Sequence, residues 1–446
     1  MEGERKTVRQ LFPPICLEIF CFMLAGMVDT LMLSSVGDDA VGAVGTANTY
    51  INMFIIMFSI ISSGMIAVVT QYIGAGKVGV ACQAKRIGAM FNGAFGVALS
   101  IFMVFGAEFL LGLVGVAPAL MSYAKVYIQI VGGSCFLNSL VPIYSSYLRA
   151  FGYTKEPTQA TIVANIINLV LNAVFLFVFE MGVAGVAIAT VLSKVANFVA
   201  VLWVSRKIET PKEDTEQVSS VILLGQIVKI GFPSAMETAL YNFAMTLIIR
   251  FLNQMDTDGL NVTARSYANL ISNFSYCVAA ALSQANAIVT GWRIGAGEFE
   301  ACYKGTKRVT GAGILVAIVV SGIVALFAKP IVGLFSDNPE MIALVAKLLA
   351  IDIILEIGRV SNIILGQALK TSGDALFTTI IASVFMFVCA VGGTYFFGLH
   401  LGMMAVGAYI ALASDECVRA ICMFLRWQSG AWKTKRLVQK EAESNN

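Results

Sequence analysis

Asp29 interrupts an apolar run, reading GMVDTLML over residues 26–33, that begins near Leu11. An isolated carboxylate in a low-dielectric medium needs a proton, a cation or a hydrogen-bond partner. An ionisable residue there suits reversible exchange of a cation, and it is a functional candidate by default. Asn168 and Asn172, in the apolar stretch 158–180, are four residues apart and share one helix face, with Asn165 near it. Two readings stand for these amides. They are ligands of an ion, or they are interhelical hydrogen-bond glue, worth about 0.6 kcal/mol on average.

Other ionisable residues sit in apolar surroundings. Glu18 and Glu237 each follow a proline by four residues, Pro14 and Pro233. They either line the inner part of a cavity and attract cationic substrate, or tune helix starts electrostatically. Asp352, Glu356 and Arg359 share one run. Glu356 and Arg359 are three apart and pair along a helix, which favours an internal pair that shapes the C-terminal half. Asn269 and Asn273 form another same-face pair, glue or site. Tyr50, Phe54, Met57, Tyr241 and Phe274 are candidates for apolar or cation–π cavity walls.

Several chemistries are excluded. The single histidine, His400, leaves no histidine-based metal site or Ser-His-Asp triad. The nine cysteines are scattered singly and read as small hydrophobes. The two IGAG segments lack a phosphate-loop pattern and follow no strand. TSGD at 371–374 does not match an intramembrane protease motif, and no paired catalytic constellation is present. The reading is a non-enzyme without cofactors. No ATP-binding module is visible, so an ion gradient must supply the energy.

The elements that position these residues are membrane helices. Hydrophobic residues make up 58% and charged residues 13% of the 446, against about 25% charged in soluble domains. Apolar runs of bilayer length recur. Spans are predicted at 12–34, 46–71, 86–114, 121–149, 158–180, 183–205, 225–252, 263–290, 308–334, 341–370, 375–398 and 403–427. The first run is too long for a signal peptide and carries two carboxylates. Placing the N-terminus in the cytoplasm puts Lys and Arg on the inner side about four to one. Among the inner residues are Arg5, Lys212 and Lys440. Both termini are therefore expected inside. The expected domains are an N-terminal lobe at 1–205, a charged linker at 206–224, a C-terminal lobe at 225–427 and a tail at 428–446.

The halves repeat. IGAGKVGVACQAKR at 73–86 matches IGAGEFEACYKGTKR at 294–308, and LRAFG at 148–152 matches LKTSG at 369–373. With the Pro-Glu pairs, these lie at an offset near 220 residues. Six helices per half give both copies one orientation. Parallel repeats place a site between lobes near mid-bilayer and work by alternating access.

The motifs PPICLEIFCFMLAGMVDTLMLSSVG, TQYIGAGK, LRAFGYTKEP, NIINLVLN, GVAGVAIAT and EIGRVSNIILGQALKTSGD occur in order along the chain. Together they resemble the MATE (multidrug and toxic compound extrusion) transporters, nearly end to end. The resemblance implies an all-α polytopic membrane protein of twelve transmembrane helices in two pseudo-symmetric six-helix lobes. It implies antiport of amphipathic, often cationic compounds out of the cell. It also implies a proton or cation site at Asp29, Asn168, Asn172 and Thr190. Some relatives carry Asp at the position of Asn172, so H+ and Na+ both remain open as coupling ion. The sodium-coupled branch places a seventh-helix Glu where this chain has Ala239, Leu240 and Tyr241.

The expected partners are small amphipathic or cationic substrates and the lipid bilayer, with no nucleic acid. The expected state is a monomer in the plasma membrane. The rival reading is a lipid or lipid-linked oligosaccharide flippase of the wider superfamily. Its pyrophosphate cargo calls for a basic cavity, whereas the central charges here are mostly acidic, with Arg359 and Lys194 as exceptions.

Overall fold

The computed structural model describes residues 6–113, 118–208, 218–255 and 259–438. Residues 209–217 of the predicted linker and 439–446 of the predicted tail lie outside the described residues, as do Arg5, Lys212 and Lys440. The described chain is helical. In hydrocarbon every backbone N–H and C=O needs an internal partner, and the helix supplies it within one segment.

The helices of the first half are α1 (Val8–Ser34), α2 (Asp38–Gly74), α3 (Val78–Phe105), the short α4 (Ala107–Leu113), α5 (Pro118–Tyr127), α6 (Cys135–Ala150), α7 (Lys155–Ala173) and α8 (Gly182–Arg206). The second half holds α9 (Ser220–Met255), α10 (Leu260–Ala296), α11 (Phe299–Leu326), the short α12 (Ala328–Val332), α13 (Pro339–Ser372), α14 (Ala375–Phe385) and α15 (Met404–Gln428). A wide helical turn, Ile128–Gly132, continues α5, and the chain bends by 42° at the short break before α6. Counting α5 and α6 as one span, and leaving α4 and α12 aside, the described residues give the twelve expected spans, six in each half.

The helices run past the predicted spans. Hydropathy registers only the apolar middle, while the charged ends remain helical in water. The spans predicted at 86–114 and 308–334 end earlier, because the chain breaks at Gly106 and at Phe327 and restarts as α4 and α12. Among the described residues, seven helices are long and apolar enough to cross a membrane alone, and the bent pair makes an eighth. The remaining spans, α9, α10, α13 and α15, carry more polar and ionisable residues.

The chain forms two compact units. One comprises Met1–Arg5 with Pro13–Phe232, the other Lys6–Phe12 with Pro233–Asn446. The first unit thus includes the opening turns of α9, up to Pro233, and not only the predicted 1–205. Backbone contact explains this. A Cβ on Gly231 of α9 would lie 1.6 Å from the Ile60 carbonyl of α2, and one on Gly64 of α2 would lie 2.0 Å from the Ile227 carbonyl. Only glycine lets the two backbones touch in this way.

Each unit has its own core. In the first, Phe58, Met103, Leu111, Ile128 and Cys135 gather α2, α3, α4 and α6. Asn92 of α3 ties this core by donating to the carbonyls of Phe58 and Ser139, both at 3.1 Å. In the second, Ile248, Leu252, Val345, Leu348 and Tyr409 gather α9, α13 and α15.

Candidate functional site

The first unit's polar centre lies where α1, α7 and α8 meet. Asp29 of α1 is half-buried. The Asn172 amide donates to Asp29 Oδ1 at 2.9 Å and to Asn168 Oδ1 at 3.1 Å. Both asparagines are buried, Asn172 completely. One turn earlier, Asn165 donates to the Cys21 carbonyl of α1 at 3.3 Å. The row of amides on α7 therefore faces α1, as the four-residue spacing requires. The Asn172 Oδ1 atom is buried without a hydrogen-bond partner, an acceptor left for a ligand.

Thr190 of α8 donates to the Val186 carbonyl one turn back, at 2.9 Å. Its hydroxyl also interacts with the Tyr127 phenol of α5, which in turn interacts with Asn48 of α2 and with Asp29. One turn past Thr190 on α8, the Lys194 ammonium interacts electrostatically with Asp29 and with Cys135. The structure thus brings Asp29, Asn168, Asn172 and Thr190 to one locality. It adds Tyr127 and Lys194, which the sequence reading did not assign there. The arrangement can hold a cation or a proton on one carboxylate, with amide and hydroxyl groups for orientation and the Lys194 amine as electrostatic competitor.

Glu18 and Glu237 sit in matching ion pairs. Arg149, at the end of α6, reaches Glu18 at 2.6 Å, and Thr158 and Thr161 of α7 donate to the same carboxylate at 3.2 and 3.3 Å. Lys370, at the end of α13, reaches Glu237 at 2.9 Å, with Thr379 of α14 donating at 3.4 Å. Both carboxylates are thus partnered by basic residues that the repeat itself supplies.

The second unit holds a denser network. Glu356 and Arg359 pair along α13, as their spacing predicts. Ser272 of α10 donates to Asp352 at 2.6 Å. On α15, Arg419 pairs with Asp415 at 2.5 Å and with Glu416 at 2.9 Å, and Asn362 of α13 donates to Glu416 at 2.9 Å. Gly358 permits this meeting of helices, since a Cβ there would lie 2.7 Å from the Cys417 backbone nitrogen. Asp415 and Glu416 went unremarked in the sequence, although they precede Arg419 by four and three residues.

Beside the network opens a cavity of about 420 Å³, lined among others by Glu237, Tyr241, Asn269, Asn273, Tyr276 and Arg359. That volume suits a drug-sized ligand. Three of the predicted cavity residues, Glu237, Tyr241 and Asn273, therefore converge. Tyr50 does not join them: it donates to the Leu110 carbonyl at 2.8 Å and packs on the first unit's core. Met57 is exposed on α2.

Comparison with known proteins agrees with this architecture. The MatE family profile matches residues 14–174 and again 233–396, so both matches open within a residue of the boundaries between the compact units. The uncharacterized transporter YisQ of Bacillus subtilis (strain 168) is 34% identical over 428 residues, covering 95% of this chain and 94% of its own. A probable multidrug resistance protein NorM of Thermotoga maritima is 23% identical, covering 98% and 95%. Among solved structures, an outward-facing multidrug resistance MATE family transporter of the MOP superfamily superposes with a TM-score of 0.86 at 18% identity, covering 97% and 96%. With the family profile spanning most of both halves and a full-length relative at this identity, the chain belongs to the MatE family of membrane transporters.

Proposed function

We propose that the protein is a secondary active antiporter. It exports amphipathic, cationic small molecules in exchange for H+ or Na+ by alternating access. The observation that carries this reading is the 2.9 Å bond between Asn172 and Asp29. It gives a lone carboxylate inside an apolar helix one polar partner and leaves the other amide atom of Asn172 open. A group so placed can take up and release a cation as its access to water alternates.

The donor set suits either coupling ion. The Asn172 amide turns its NH₂ toward Asp29, which supports the ionised carboxylate, while its unpartnered Oδ1 is an oxygen that a protonated group or Na+ can use. Substrate is assigned to the cavity beside Tyr241, Asn273 and Glu237. The excess of basic residues on one side supports a plasma-membrane protein with both termini cytoplasmic. We read it as a monomer. The flippase reading draws no support from NorM of Thermotoga maritima or YoeA of Bacillus subtilis, both named as probable multidrug resistance proteins.

The test is ethidium efflux from proteoliposomes with a proton gradient and a Na+ gradient imposed separately. Efflux driven by one of the two gradients is expected, and that gradient identifies the coupling ion. Movement under neither gradient overturns the antiport reading.

A further inference from the structure

Along α8 the residues Leu192, Val195, Val199 and Trp203 are exposed at 44%, 39%, 56% and 61%. They recur every three to four positions, so they form one stripe on one helix face. An exposed apolar stripe on a membrane helix is a lipid-facing seam. The exposed Val163, Ile166 and Val170 form its counterpart on α7. Toward the ends of α7 and α8 that carry Lys155 and Arg206, the seam deepens into a groove of about 500 Å³. Ala160 and Ala200 help line it, and their small side chains leave the space.

The end of this groove is charged. Lys207 lies with its ammonium 3.6 Å from the centre of the Trp203 ring, the arrangement of an aromatic belt residue and a lysine reaching for the interface. Glu156 lines the opposite wall, beside Tyr153. Its Oε2 atom is buried and has no hydrogen-bond partner. One cationic group and one unsatisfied carboxylate oxygen therefore flank the mouth of an apolar slot at headgroup depth.

We propose that this groove binds a phospholipid whose headgroup carries both a phosphate and a primary ammonium, namely phosphatidylethanolamine. The acyl chains follow the apolar seam between α7 and α8. The phosphate meets Lys207, and the ammonium donates to Glu156. Phosphatidylglycerol satisfies Lys207 but offers Glu156 only neutral hydroxyl donors, without the charge of an ammonium. Phosphatidylcholine brings a cation whose methyl groups cannot donate. The same α7 carries Asn168 and Asn172 farther along, so the lipid holds the start of the helix that presents the amides to Asp29.

Native mass spectrometry of the full chain in detergent tests this, using phosphatidylethanolamine, its mono-, di- and trimethylated forms and phosphatidylglycerol, all with identical acyl chains. Retention of phosphatidylethanolamine at least about fivefold above the trimethylated form is expected, with graded loss along the series. Glu156→Gln should abolish that preference, and Lys207→Gln should weaken every phospholipid alike. Equal retention of all five lipids by the unaltered protein overturns the proposal. So does an undiminished preference in Glu156→Gln. The methylation series needs no variant, so it decides the matter even where a substitution impairs folding.

Discussion

Lys370 stands 2.9 Å from Glu237 in the second half at the place that Arg149, 2.6 Å from Glu18, holds in the first. The internal repeat is thus kept as an interaction. In each half a carboxylate one turn past a proline meets a basic residue at the far end of a later span, with a threonine of the following helix completing the bond. Arg149→Met or Lys370→Met leaves a partly buried carboxylate unpaired. Each should cost about 2 kcal/mol, less than for a fully buried pair because the side chains retain some exposure. Thermal unfolding in detergent measures this. The double variant Glu18→Gln/Arg149→Met should recover part of the loss, with a coupling of about 1 kcal/mol. Strict additivity would show that the pair is incidental.

Asp29→Asn should abolish gradient-driven efflux and leave the elution profile and melting of the protein close to those of the unaltered chain. The amide is nearly isosteric and accepts from Asn172 as the carboxylate does, but it carries no exchangeable charge. Retained coupled efflux would remove Asp29 from the mechanism. Asn172→Ala should keep transport but weaken it about tenfold or more, since Asp29 loses its one direct side-chain donor, worth about 1.5–3 kcal/mol to a charged group.

Lys194→Met tests the electrostatic competitor. Removing a basic side chain that interacts with Asp29 should strengthen cation uptake there. At an effective dielectric near 20 the effect should be about threefold or more in the half-saturating ion concentration. Counterflow at graded pH and graded Na+ measures it. An unchanged profile would show that Lys194 serves packing alone.

Gly358→Val should disrupt the second unit, because the Cβ position is 2.7 Å from a backbone nitrogen of α15 and that backbone cannot move aside cheaply. We expect a loss of about 2–3 kcal/mol or more, seen as low yield or a sharply reduced melting temperature. Wild-type stability in this variant would contradict the close packing of α13 on α15.

Much of this was legible in the sequence for simple reasons. Helices at bilayer length follow from apolar run length. The pairing of Asn168 with Asn172, and of Glu356 with Arg359, follows from helical periodicity. The repeat offset located Pro233 and Glu237 from Pro14 and Glu18, although it did not reveal that Arg149 and Lys370 were their partners. Other relationships had no local signal. Tyr127 lies in an unremarkable stretch of its span, and only the packing of α5 against α2 and α8 brings it to Asn48 and Thr190. Lys194 is one turn from Thr190, but its relation to Asp29 depends on how α8 meets α1. The run of Asp415, Glu416 and Arg419 was visible, yet its spacing alone carries no sign of burial. The burial of all three residues comes from the close approach at Gly358.

That buried cluster also constrains the order in which the membrane receives the chain. On a biological insertion scale, Asp, Lys and Arg near a helix centre each cost about 2.5–3.5 kcal/mol. α13 leaves the ribosome with Asp352, Glu356 and Arg359 in its middle, before α15 exists to supply Arg419 and the Glu416 carboxylate, which interacts electrostatically with Arg359 and accepts from Asn362 of α13. Until then α13 is poorly suited to lipid on its own, and Arg359 can be neutralised only by its own helix. The final span is therefore the closing component of biogenesis: the second half becomes a stable bilayer resident only after synthesis of α15. Chains ending before it should be retained by the insertion machinery and handed to membrane proteases.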